Sequence, residues 1–147
     1  MRGPVGLVSL VLAASLLVGC GGDDRGDYCQ AVEEHQRELG ELDPNTDPGA
    51  IFTALEHYRA LAEEAPSDIQ DEWTQVITRI EAVETALEDA GVDPSTFDPQ
   101  ETLKELSKEE RQAVTGAGRD LGDDQTRQAM EGLKQQALDV CKTPLTQ

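Results

Sequence analysis

Apolar side chains recur along this chain at alternating steps of four and three residues. The rhythm is clearest over residues 66–91, where Ile69, Trp73, Val76, Ile80, Val83, Leu87 and Ala90 share one face of a helix. Ser67 with Gln70 three residues later has the form of a capping box, and Gly91 offers the left-handed residue that stops such a helix. Ile51, Leu55, Tyr58 and Ala62 keep the same spacing, and Phe52 and Leu61 widen the face. Asp47-Pro48 predicts the start of that helix, a side-chain cap followed by a first-turn proline. A shorter stripe of Tyr28, Val32, His35 and Leu39 predicts a first helix. Met130, Leu133, Ala137 and Val140 predict the inward face of a last one over residues 124–141.

Between Gly91 and Gly122 the pattern weakens. The stretch VDPSTFDP, with two prolines, reads as a turn-rich connection, and residues 102–106 as a short helical piece. Ser107-Lys108-Glu109-Glu110 is a second capping box, opening a segment through Val114 and Leu121 in which Gly116 and Gly118 dilute helix propensity. No strand alternation, hairpin dipeptide or repeat competes with this reading. The pattern predicts an all-α fold, an up-down four-helix bundle with residues 92–122 as an elaborated crossover.

Ahead of the helices lies a different kind of segment. Met1-Arg2 is a short positive start, and residues 5–18 form an uncharged, mostly apolar run. That run is shorter than the roughly 20 residues a bilayer span needs, but it suits the core of a signal peptide. It ends in Leu17-Val18-Gly19-Cys20, which resembles the lipobox of bacterial lipoproteins. The resemblance implies that residues 1–19 are a cleaved signal peptide and that a diacylglyceryl group is carried on the Cys20 thiol. The protein would then sit on the extracytoplasmic face of the cell membrane, held by that lipid. Secretion after ordinary signal-peptide cleavage is the competing reading. Gly21-Gly22-Asp23-Asp24 reads as a polar leader, so residues 20–27 are expected to be a flexible tether, 28–142 the bundle and 143–147 a disordered tail.

Charge narrows the partners. The chain carries −18 overall, and residues 20–98 hold 21 acids against four bases. Such a field repels phosphate, so nucleic acid is not expected as a partner. A face for a basic partner is one reading of the acidic surface; a solvated coat that prevents aggregation is the plainer one.

With Cys20 assigned to the lipid, Cys29 and Cys141 remain. In an oxidising compartment an even pair usually forms a disulfide. A metal site or a reactive thiol are the alternatives, but neither cysteine lies in a CxxC or near a histidine at ligand spacing. Cys29 opens the first helix and Cys141 closes the last, and such ends meet in an up-down bundle only if the number of full-length helices is even.

Candidate chemistry is sparse. Asp43, Asn45 and Asp47 fall at positions one, three and five of a calcium loop, but its sixth position holds Pro48 in place of glycine and its twelfth holds Ala54 in place of an acid. The segment reads better as a turn and helix cap. His35 lies on an apolar stripe and reads as a packing residue, and His57 has no acid or thiol at triad-like spacing. No HExxH, G-x-S-x-G or phosphate-binding loop is present, so no catalytic residue, metal or cofactor is expected, and the protein does not read as an enzyme. Arg25-Gly26-Asp27 spells an adhesion tripeptide that is common by chance.

Tyr28-Cys29 opening the first helix, Ala65-Pro66-Ser67-Asp68-Ile69 opening the third and Cys141 closing the last together resemble the small helical lipoproteins of actinobacteria. The resemblance covers roughly residues 1–142 and implies an all-α bundle on the outer membrane face with no assigned activity. Two functions fit. One is a non-enzymatic binding or scaffold domain for an envelope protein; the other is a carrier or chaperone that holds an apolar ligand between its helices.

Overall fold

The computed structural model describes residues 23–43 and 46–146, and all of their regular structure is helical. The helices are α1 (Asp23–Glu41), α2 (Ala50–Glu63), α3 (Gln70–Asp89), α4 (Pro99–Glu105), α5 (Lys108–Leu121) and α6 (Asp124–Gln136). A 3₁₀ turn, Pro94–Thr96, precedes α4, and a π-helical turn, Ala137–Cys141, continues α6. The expected signal peptide, Cys20 and the two glycines after it lie outside the described residues.

The centre of the molecule is α3, whose four-three stripe becomes its buried face. Trp73, Val76, Ile80, Val83 and Leu87 are all buried, and Ile69 lies under the turn before them. On one side α3 packs against α2, and on the other against α5 and α6. It stops in a full Schellman arrangement: Val92 N donates to Leu87 O, Gly91 N donates to Glu88 O, and Gly91 has φ +71°. Its start differs from the expected capping box. Helix geometry begins only at Gln70, with Ile69 as an uncapped N-cap, and the Gln70 side chain donates back to Ala65 O at 3.1 Å. Burial of Ala65, Pro66 and Ile69 draws this turn under the core and leaves Ser67 exposed ahead of the helix.

Helix α2 likewise begins later than Asp47-Pro48 suggested. Asp47 Oδ1 accepts from Gly49 N at 3.0 Å, closing a turn, and Ala50 is the first helical residue. Gly49 is pressed against the 3₁₀ turn, where a Cβ would stand 2.6 Å from Ser95 O. This contact brings the start of α2 to the end of α3, so the two helices are antiparallel. At the opposite end, Arg25 Nη2 reaches within 4.0 Å of Asp68 Oδ2, which places the start of α1 beside the start of α3.

The segment expected as a crossover is largely bundle. The second capping box forms as read: Ser107 Oγ accepts from Glu110 N, and Glu110 Oε2 accepts from Ser107 N. Helix α5 then runs back along the second half of α3, with Glu109 and Ala113 facing Ala86 and Ala90 across a cleft and Asp120 within 3.8 Å of Arg79. Helix α6 takes over along the first half, where Thr126 meets Gln75 and Gly132 lines a groove with Asp71 and Glu72. Helices α5 and α6 thus form one broken column antiparallel to α3, interrupted at Gly122-Asp123, where Asp123 Oδ1 caps α6 by accepting from Thr126 N. Counting the broken pair once, four columns alternate in direction, and the true crossover is the shorter stretch of residues 90–107.

Both ends of the bundle depart from expectation. Helix α1 begins at Asp23 rather than near Tyr28, so the second half of the expected flexible tether is helical. The expected disordered tail is tied down as well, because Leu145 is buried in the core.

Candidate functional site

Helices α1 and α2 meet in antiparallel register, Leu39 and Ala54 lining one cavity of about 440 Å³ that Met130 and Lys134 of α6 also border. One helical turn before Leu39, His35 faces His57 of α2, with the two Nδ1 atoms 2.9 Å apart. The rings are tilted by 59° with centroids 5.0 Å apart, so the contact is a hydrogen bond edge to edge rather than a stack. Glu38, three residues after His35 on α1, places Oε2 3.6 Å from His57 Nε2. A carboxylate at that position favours the proton on His57 Nε2, leaving Nδ1 as the acceptor for His35 Nδ1–H. His57 is sheltered, its side chain 19 % exposed, while the Glu38 side chain is 53 % exposed. The three side chains each bring one ligand atom within 4.8 Å of the others.

Neither the sequence stripe nor any motif linked these residues. His35 does sit at a stripe position, but it is half-buried at the edge of the core and its partner is polar. The available signal was pairwise: His35 and Glu38 share a helix face at i, i+3, and the predicted antiparallel pairing of the first two helices brings His57 opposite that face.

A second polar cluster lies at the end where the termini meet. Cys29 and Cys141 stand at disulfide distance, their Cα atoms 5.0 Å apart across 112 residues of chain. The Tyr28 hydroxyl and the neighbouring Trp73 Nε1 are buried without a hydrogen-bond partner of good geometry, as is Gln136 Oε1. Burial pushes the Tyr28 hydroxyl above its ordinary pKa, and the neighbouring Trp73 N–H offsets part of that rise. The π turn accounts for one departure from the stripe. Leu133 and Ala137 face inward as expected, but the extra residue per turn over Ala137–Cys141 rotates Val140 to 40 % exposure and Leu138 to 46 %.

The remaining concavities are modest. The groove between α3 and α6 is open and polar, about 720 Å³, with Asp71, Gln75, Arg79 and Gln128 on its walls. An apolar niche of about 210 Å³ lies between Ile51, Tyr58, Ile80, Leu121 and Met130. Asp43 and Asp47 take part in a backbone turn, Asp43 O accepting from Thr46 N and Asp47 N; Asn45, the remaining position of the calcium-loop pattern, lies outside the described residues.

No known family model matches the chain, and no curated protein or solved structure is detectably similar to it.

Proposed function

We propose that this protein is a lipoprotein of the bacterial cell envelope, anchored through a diacylglyceryl group on Cys20, whose helical bundle acts as a non-enzymatic binding or scaffold domain. The observation that carries the reading is the apolar run ending in Leu17-Val18-Gly19-Cys20, with Cys20 only three residues before the first described helical residue, Asp23. The Cys29–Cys141 pair supports it, since a stable disulfide belongs to an oxidising compartment such as an envelope. No described helix is long and apolar enough to cross a membrane, so retention would rest on the lipid.

A carrier of apolar ligands is the second reading, and the niche beside Met130 is what favours it. At about 210 Å³ it is smaller than the roughly 300–1,000 Å³ of typical ligand pockets, and the wider cavity of about 440 Å³ that shares Ile51, Tyr58 and Met130 with it has Asp43, Lys134 and Thr146 on its walls as well, which is why the scaffold reading ranks first. Growth with a clickable fatty acid tests the anchor. The wild-type chain should take up label and fractionate with membranes, and Cys20→Ala should do neither; label retained by the variant would overturn the proposal. Crosslinking in intact cells, followed by recovery of the Cys20-anchored protein, would then identify the partner.

A further inference from the structure

The His35–Glu38–His57 cluster is more than a packing contact between two helices. We infer that it is a binding site for a late first-row divalent cation, with Zn²⁺ as the simplest occupant. The inference is independent of the anchor on Cys20.

Three observations point the same way. First, the donor set is two imidazole nitrogens and one carboxylate oxygen, which suits zinc, nickel or copper and does not suit calcium or magnesium, both of which require shells built of oxygen. Second, the donors are already gathered. They lie within 4.8 Å of one another, whereas ligands around a tetrahedral zinc with bonds of about 2.0–2.1 Å are separated by about 3.4 Å. Closing that gap needs movement mainly of Glu38, the exposed member, whose carboxylate would leave His57 Nε2 and swing toward the Nδ1 atoms. Third, the scaffold fixes the two histidines. His35 follows the buried Val32 on α1 and His57 follows the buried Leu55 on α2, so neither backbone position can move without disturbing the core.

The protons also balance. In the metal-free protein a single Nδ1–H bridges the two rings. A cation taking the place of that hydrogen requires the donor ring to move its proton to Nε2 and the two Nδ1 atoms, now 2.9 Å apart, to part by about half an ångström. With three protein ligands the cation would keep at least one position for water or for a side chain of a partner. The site would then be either an open zinc centre or half of a bridging one.

Isothermal titration of the full chain, with the Cys29–Cys141 pair oxidised and adventitious metal stripped by chelator, tests this with ZnCl₂ as the probe. One equivalent should bind, and His35→Gln or His57→Gln should weaken it at least tenfold, with CaCl₂ giving no such signal. Zinc binding that is absent, or unchanged in both variants, would overturn the inference. Since a histidine variant could disturb the α1–α2 contact, Cu²⁺ on the unaltered protein supplies a second measurement. Its electron paramagnetic resonance spectrum should carry coupling to imidazole nitrogen, and a spectrum with oxygen ligands alone would overturn the assignment.

Discussion

Gln75 on α3 donates from Nε2 to the Thr126 hydroxyl on α6 at 3.1 Å, and this bond fastens the broken fourth column to the central helix. Thr126 is buried at this break. Its hydroxyl donates in turn to Asp120 O at 3.3 Å, near the end of α5, so three helices converge on one oxygen.

Replacing that oxygen by a methyl group keeps the volume and removes both bonds. Thr126→Val should therefore cost about 0.5–1.5 kcal/mol, the usual net worth of hydrogen bonds whose partners, Gln75 and Asp120 here, can still reach water. Urea unfolding would measure it as a lower midpoint at unchanged slope. A variant as stable as the parent would mean that the column is held by apolar contact alone.

Asp123 caps α6 from the opposite side of the break. Its carboxyl is held below the usual aspartate range, first by the Thr126 backbone N–H, with the Arg79 charge contributing less. A depressed folded-state pKa stabilises the fold above the unfolded value, about 3.9, and that contribution is lost as pH falls through the lower folded value. Asp123→Ala should melt a few degrees below the parent at neutral pH, and the gap should close in strong acid. Thermal melts by circular dichroism across this range would check it. A gap independent of pH would deny the carboxylate its role as the cap.

Two glycines separate strain from contact. Gly91 has φ +71° with open space where a Cβ would point, so Gly91→Ala should cost only the left-handed penalty, about 1–2 kcal/mol. Gly49 has an ordinary helical φ of −70°, but its Cβ would meet Ser95 O at 2.6 Å. Gly49→Ala must push the 3₁₀ turn off the start of α2 and should cost about 1–3 kcal/mol, the range for overpacking. Chemical denaturation of both variants would compare them, and a Gly49 variant with wild-type stability would show that this turn is not seated there.

These residues mark where the sequence was legible. Gly91 as a helix stop and Ser107–Glu110 as a helix start depend on neighbours within one turn, and both were readable. So was the α3 stripe, because every member meets the same core. What escaped was set by distant chain. The start of α2 depends on Ser95, the exposure of Val140 on a π turn, and the continuity of α5 with α6 on their common packing against α3. The histidine cluster escaped for the same reason, as its members lie 22 residues apart and meet only once the helices pair.

The Cys29–Cys141 link closes a loop spanning 112 residues, and its loss releases about 4–5 kcal/mol of chain entropy in the loop-closure model. Reduction should lower stability by up to that amount while the far-ultraviolet helical signal persists in dilute buffer, since the apolar faces specify the helices. Mass spectrometry of the non-reduced protein would check the bond itself. Two free thiols there would remove it from the account.

The last expectation follows from where α1 begins. Cys20 is three residues before Asp23, a span of at most about 11 Å when fully extended. From Asp23 to Cys29 the helix rises about 9 Å, so a lipid on Cys20 would hold the cysteine pair within about 20 Å of the anchor. The same end carries the turn before α3 and the exposed Leu138 and Val140, while the 3₁₀ turn and the start of α2 lie at the other. Hydrogen exchange on the lipidated protein, bound to uncharged phosphatidylcholine vesicles, should therefore slow over residues 64–69 and 137–143 relative to the Cys20→Ala chain. Residues 89–98 should exchange alike in both. Neutral lipid is the appropriate surface because the acidic chain would be repelled by anionic head groups. Equal exchange at both ends would mean that the bundle stands clear of the bilayer. Slowing confined to residues 89–98 would mean that it docks the other way up.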